Sequence, residues 1–344
     1  MAEQPAYGLL ERYSRQLLFK GIDLEGQRKL RDARVAIVGC GALGSQQASL
    51  LARAGIGELV LIDRDFVEES NLQRQILYDE EDAAERTPKA LAAAAHLGRA
   101  NSDIRIIPHV TDLTPRNIVS LLSHVQIILD GTDNFETRYL LNDFSVQSGT
   151  PWIYGAAVAS LGTTFTIRPG ITPCLACLFP SVPAGPHPTC DTSGILNPIA
   201  GIVASLQVAE AMKLIVGAEQ ELNLKLVSVD VWANRFQQVD AGTPAVDCHV
   251  CQGREFAYLS GGKTAPITLC GRDSVQIHER ERPLQFAALA SQLNALGEVR
   301  YNLNVFRFQI DNFELTVFPD GRAIIKGTTD PAQARSLYAK YIGV

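Results

Sequence analysis

The sequence is short of several things, and each shortage excludes a class of function. It has no excess of positive charge: 31 Lys and Arg stand against 37 Asp and Glu, for a formal net charge of −6. A nucleic-acid backbone demands a cationic face, so no nucleic-acid partner is expected. It has no long uninterrupted apolar run. The longest, ILNPIAGIVASLQVAEAMKLIVG, is broken by Pro198, Gln207, Glu210 and Lys213. That stretch reads as a buried helix, and no membrane partner is expected. The first residues, MAEQPAYGLLERYSRQ, lack the apolar segment of a secretory signal, so a cytoplasmic location is expected. Histidine is scarce, six in all with none in the phosphate-binding segments below, which weakens any mechanism built on a histidine acid or base. No internal repeat or low-complexity segment is evident.

What remains is an ordinary globular composition, 46% hydrophobic and 20% charged, in 344 residues. That length accommodates one large α/β domain and a smaller one. RVAIV (34–38), GCGALG (39–44), the helical SQQASLLARAGIG and ELVLID (58–63) spell strand, glycine turn, helix and second strand. A helix at PKALAAAAHLGRAN, strand DIRIIPHV, a helix near 114–122 and strand VQIILDGTDN continue the alternation. The expected fold is α/β, a Rossmann-like, mostly parallel sheet with helices on both faces. From 152 the pattern turns antiparallel, with a turn expected at RPG (168–170). The proline-rich FPSVPAGPHPTCDTSG (179–194) reads as a long irregular loop, of the kind that is usually functional. The division expected is 1–252 as the main domain, 253–266 as a linker, and 267–344 as a small C-terminal α+β domain. Its last helix should open on Asp330 as N-cap with Pro331 following.

Gly39, Gly41 and Gly44 sit where a phosphate loop needs them: a tight turn, a close backbone approach to phosphate, and close helix–sheet packing. The amides at the helix start then face an anion. Asp63, ending the second strand, suits ribose hydroxyls. Asn71, Arg74 and Lys89 add an amide, a planar fork and a point charge near the same sheet edge. A dinucleotide would not need them, whereas a triphosphate would. Asp133 in DGTDN offers a hard oxygen ligand for Mg²⁺, which prefers one or two carboxylates with phosphates and water. The plainer alternative makes Asp130 and Asp133 turn formers. Cys174 and Cys177, with Cys248 and Cys251, form two C-x-x-C pairs that suit a closed zinc site. A redox pair, or partial ligation through His249, competes with that assignment. Cys190 lies just before DTSG, near a helix start that favours a thiolate. It is either a nucleophile or inert; Cys40 and Cys270 read as structural.

Taken in order, ERYSRQ, GCGALG, LIDRDFVEESNLQRQ, PKA, DGTDNFETR, both C-x-x-C pairs and TCDTSG resemble the MoeB/ThiF group of ubiquitin-activating-like enzymes. The likeness runs across 11–252. LCGRDSVQI and DGRAIIKGT extend it to Bacillus-type thiamine-pathway members with an extra domain. The resemblance implies ATP–Mg²⁺ bound by Gly39, Gly41, Ala42 (often glycine in relatives), Gly44, Asp63, Ser70, Asn71, Arg74, Lys89, Asp133 and Asn134. It implies a Zn²⁺ site at the four cysteines, and a homodimer in which Arg15 reaches the partner's site. It also implies adenylation of the C-terminal glycine of a ubiquitin-fold sulfur carrier ending in Gly-Gly, of ThiS type or alternatively of molybdopterin (MoaD) type. Cys190 matches a cysteine that links covalently to the carrier in relatives. No rhodanese-like cysteine loop is evident, so the sulfur donor is expected to be a separate protein, a cysteine desulfurase or a rhodanese. The rivals are a nicotinamide dehydrogenase, which leaves Asn71, Arg74 and Lys89 unexplained, and a non-catalytic scaffold for a ubiquitin-like protein.

Overall fold

The computed structural model describes residues 11–180, 190–261, 268–269, 274–277, 284–303, 305–319 and 321–343. The chain divides into two compact units: Met1–His187 with Ile195–Lys263, and Pro188–Gly194 with Thr264–Val344.

The first unit is built on an eight-stranded sheet. Its strands are β1 (Arg34–Val38), β2 (Glu58–Asp63), β3 (Arg105–Val110), β4 (Ile127–Asp130), β5 (Trp152–Val158), β6 (Leu161–Ile167), β7 (Lys225–Asp230) and β8 (Arg235–Asp240). They lie in the order β3-β2-β1-β4-β5-β6-β7-β8. The first five are parallel and the rest antiparallel. The strands of the parallel part are continuous apolar runs because both faces are covered. Val35 and Ile37 join one core with the helices Ala42–Ala54 and Lys89–Ala100, while Ala36 and Val38 join another with the helix Phe135–Ser148. The chain builds outward from β1 to β3, then crosses back to place β4 on the other side of β1. The carboxyl ends of β1 and β4 therefore flank the crevice where open α/β sheets bind ligands.

The helix Asn197–Val216 is long and apolar enough to cross a membrane by length and composition. Here it packs on the helix Ala42–Ala54 and on β5 and β6, with Ile199, Ala200, Val203 and Ala204 buried. The turn expected at RPG is present, but it is not the hairpin that joins β5 to β6. Val158 pairs with Leu161, so β5 and β6 are joined by Ala159 and Ser160, with Ala159 at φ 52°. A two-residue hairpin requires such a left-handed residue. Arg168–Gly170 makes the turn after β6, closed by the Ile171 amide on the Arg168 carbonyl at 2.9 Å. The segment that reads as a linker is bound down over 253–261. The amides of Tyr258 and Leu259 donate to Asp143 at 2.9 and 3.2 Å, and Tyr139 and Tyr258 stack with centroids 5.1 Å apart.

The second unit holds a six-stranded sheet. Its strands are β9 (Thr268–Leu269), β10 (Ser274–Ile277), β11 (Glu298–Tyr301), β12 (Phe306–Ile310), β13 (Phe313–Val317) and β14 (Ala323–Lys326), in the order β11-β12-β13-β14-β10-β9. Phe306, Phe308, Leu315, Val317 and Ile325 form its core with the helices Phe286–Leu293 and Pro331–Tyr341. The latter opens on Asp330, whose carboxylate accepts from the Ala332 amide at 2.9 Å. Cys270 lies outside the described residues.

Candidate active site

The glycine turn after β1 and the acidic turn after β4 touch backbone to backbone. Gly39, at φ 87°, would put a Cβ 2.5 Å from the Gly131 carbonyl oxygen, and a Cβ on Gly131 would lie 2.3 Å from that of Gly39. Gly44 is bound to glycine as tightly, since its Cβ would sit 1.8 Å from the Gly39 oxygen. At Gly41 a Cβ would meet nothing closer than 3.9 Å. Two of these glycines close the turn, therefore, while Gly41 leaves room in front of it. Ala42 begins the helix Ala42–Ala54. The helices Lys89–Ala100 and Phe135–Ser148 also start at this edge, so three N-termini bring their positive ends toward one crevice.

Asp63 closes β2 and accepts from the Cys40 amide at 2.6 Å and the Asp65 amide at 2.7 Å. Burial pushes its carboxyl up from the ordinary 3.8, while Lys89 pulls it back. Lys89 is 4% exposed, with Nζ 3.3 Å from Asp65. Asn71 is buried in a short turn, where its Oδ1 accepts from the Glu68 amide at 3.1 Å, leaving the NH₂ group as the end with donors to give. Arg74 donates to the Ser70 carbonyl at 2.8 Å. Asp133 is exposed and Asn134 caps its helix, accepting from the Thr137 amide at 2.8 Å.

Sequence reasoning missed the partners of these groups. Asp65 bears Lys89, and Arg64 meets Asp112 at 2.8 Å. Burial opposes the Arg64 charge, but Asp112 and Asp65 outweigh it and hold its pKa above the ordinary guanidinium value. The half-buried Glu136 beside them is raised by burial, Arg64 opposing. The Tyr78 hydroxyl donates to the Cys40 carbonyl at 2.7 Å and steadies the glycine turn. Asp65 could have been found, lying two residues after Asp63 in LIDRD; Asp112, far along the chain, carried no signal.

Arg15 is not brought to this edge. It sits exposed on the helix Ser14–Leu17, whose Gln16 donates to the Ala54 carbonyl at 2.9 Å. That is the far end of the 13-residue helix that starts at the glycine turn. At roughly 1.5 Å per residue, the two ends are about 18 Å apart.

The four cysteines do come together. Their sulfurs lie 3.7 Å (Cys174–Cys177), 3.7 Å (Cys174–Cys248) and 3.4 Å (Cys177–Cys251) apart, and all four fall within 4.8 Å. A zinc ion with bonds near 2.3 Å in tetrahedral geometry sets sulfurs about 3.8 Å apart, so the set fits a closed Cys₄ site. The His249 alternative is not among the grouped ligands. Cys190 begins the short helix Cys190–Ser193; its side chain lies outside the described residues, as does the preceding loop 181–189.

A sequence model described as the ThiF family matches residues 13–250. The chain belongs to the ThiF family. Among its relatives, the sulfur carrier protein ThiS adenylyltransferase of Bacillus subtilis is 46% identical over 336 residues, 96% of this chain and 99% of that one. The SAMP-activating enzyme E1 of Haloferax volcanii is 39% identical over 70% of this chain and 88% of its own length. The adenylyltransferase and sulfurtransferase MOCS3 of Sus scrofa is 36% identical, and the match spans 71% of this chain and 53% of that protein. Of solved structures, Escherichia coli MccB with ATP superposes with a TM-score of 0.62 at 25% identity, covering 70% of this chain and 74% of that one. The ThiF family model thus stops at the second cysteine pair, while the match to the Bacillus protein spans nearly the whole chain.

Proposed function

We propose that this protein adenylates the C-terminal glycine of a ubiquitin-fold sulfur carrier of ThiS type, releasing pyrophosphate as a step toward the thiocarboxylate used in thiamine thiazole synthesis. The end-to-end 46% identity with the Bacillus ThiS adenylyltransferase carries the proposal. A carrier carboxylate oxygen bonds to the α-phosphorus of ATP, the bond from that phosphorus to the bridging oxygen breaks, and pyrophosphate leaves. The chain needs no acid or base for this; it supplies position and charge. Gly39, Gly41, Ala42 and Gly44 receive the phosphates at the helix start, and Asp63 the ribose. Ser70, Asn71, Arg74 and Lys89 neutralise the leaving pyrophosphate. Asp133, with Asn134 beside it, would hold Mg²⁺, which supplies further charge neutralisation when bound. Cys174, Cys177, Cys248 and Cys251 would hold Zn²⁺ as a structural clamp.

The distance of Arg15 from its own glycine turn supports a homodimer in which it serves the second copy's site. We assign residues 1–252 to adenylation and place the protein in the cytoplasm. The adenylate then yields to sulfur from a separate donor. Cys190 is the candidate to displace AMP and hold the carrier as a thioester.

The test is ATP–pyrophosphate exchange with purified Gly-Gly carriers of ThiS and MoaD type, run side by side. Exchange dependent on the ThiS-type carrier is expected, and Cys190→Ser should leave it intact. Exchange with the MoaD type alone would move the protein to the other pathway. No exchange with either would leave a binding scaffold.

A further inference from the structure

Asp133 is the one carboxylate of the acidic turn that is exposed, and the backbone on either side of it is pinned. Before it, the Thr132 amide and hydroxyl donate to Asp130 Oδ1 at 2.9 and 2.6 Å, while the Thr132 carbonyl accepts from Arg138 Nη2 at 2.6 Å. After it, Asn134 is fixed by its cap bond to the Thr137 amide. The same guanidinium reaches Asp130 Oδ2 through Nε at 3.1 Å and the Gly155 carbonyl at 3.1 Å. It lies over the rings of Tyr154 and Phe135, 5.4 and 5.7 Å from their centroids. One side chain therefore ties the end of β4, the turn beyond it and the middle of β5.

As a source of stability this is a poor device. Asp130 is fully buried and Arg138 nearly so, and a buried ion pair can often be replaced by apolar groups at no loss. What an apolar pair could not do is hold three acceptors in one plane at set distances. We propose that Arg138 is a positioning residue for the adenylation step: through Asp130 and Thr132 it holds the Gly131–Asn134 turn so that the Asp133 carboxylate faces the metal and phosphates in one orientation. This rests on the adenylation proposal above and on the role given there to Asp133. Arg138 itself touches no substrate.

The test is carrier-dependent ATP–pyrophosphate exchange in Arg138→Lys, Asp133→Asn and the double variant, each titrated with Mg²⁺ and melted by circular dichroism. Arg138→Lys keeps the charge and the pairing with Asp130 but loses the fork. It is expected to lower exchange by about 10- to 100-fold, the scale of a catalytic group displaced by an ångström, and to raise the Mg²⁺ needed for half-maximal rate. In the Asp133→Asn background the same change should cost nothing further. Thr132→Val removes one bond of the clamp and no charge, so it carries the same comparison should Arg138→Lys fail to fold. Losses that multiply, or a loss of exchange that only follows the folded fraction, would overturn the positioning role while leaving adenylation standing. An Asp133→Asn protein with full exchange would overturn the role given to Asp133 and this proposal with it, while leaving adenylation standing; an unaltered protein with no exchange would overturn the adenylation proposal itself.

Discussion

The first unit carries two polar centres that are held together by opposite means. At the carboxyl edge the chain satisfies itself: Asp63 takes two amides, Lys89 lies against Asp65, Arg64 against Asp112, and Asp130 against Arg138. Charges are met by opposite charges, and the shape exists before any ligand arrives. The cysteine cluster sets four like groups face to face. Burial and the neighbouring Cys177 push the Cys174 thiol up to about 12, so a second thiolate is resisted until a cation joins the set. A metal ion entering there displaces protons and returns its binding energy as folding energy. One centre is built of paired charges; the other sets four like groups within reach of a single ion.

That contrast can be broken at either end. The largest effect is expected from Arg74→Ala, whose guanidinium donates to the nearby Ser70 carbonyl. Pyrophosphate exchange should fall by about 10²- to 10³-fold, the scale of a lost transition-state contact, with a melting temperature unmoved. A large drop in melting temperature would make Arg74 structural cement and erase the distinction. Next comes Cys251→Ser, or extraction of the metal by a chelator. It should lower the melting temperature by roughly 3–4 °C, about 2–3 kcal/mol for a chain of this size, with exchange per folded molecule unchanged at 25 °C. A fully folded protein that had lost exchange would show the cluster to be part of the chemistry. The smallest effect belongs to Tyr78→Phe, which deletes a single bond under the glycine turn. It should cost about 1 kcal/mol in stability and change the KM for ATP by less than about fivefold. A larger change in KM would mean that the turn depends on that bond for its shape.

Much of the fold was legible because its signals are local. Apolar runs of five or six residues followed by glycine, or by aspartate and glycine, could only be buried parallel strands meeting a crevice, and the two cysteine pairs declared themselves by spacing. Legibility fails where a residue's partner is set by the tertiary fold. Arg138 stands in a segment that was singled out, DGTDNFETR, yet an arginine early in a helix looks like any surface charge until the sheet closes over it. Arg64 and Asp112 meet only because β2 and β3 are neighbours. Proline and glycine at 169–170 signal the turn that forms there, whereas the hairpin at alanine and serine 159–160 carries no such signal and is set by strand register. The stretch GREFAYLSGG is polar enough for a tether; its backbone is nonetheless needed by Asp143.

The helix Phe135–Ser148 has Arg138 through Val146 buried without a break, so it has no outer face. Its first turn serves the carboxyl edge. Further along, Asn142 accepts from the Leu175 amide beside the first cysteine at 2.7 Å, and Asp143 takes the strap at 258–259. A rod enclosed on every side cannot fray from one flank; its amides belong among the slowest to exchange with solvent, opening only when the unit as a whole opens. The two centres it touches, so differently built, are thereby given a single lifetime.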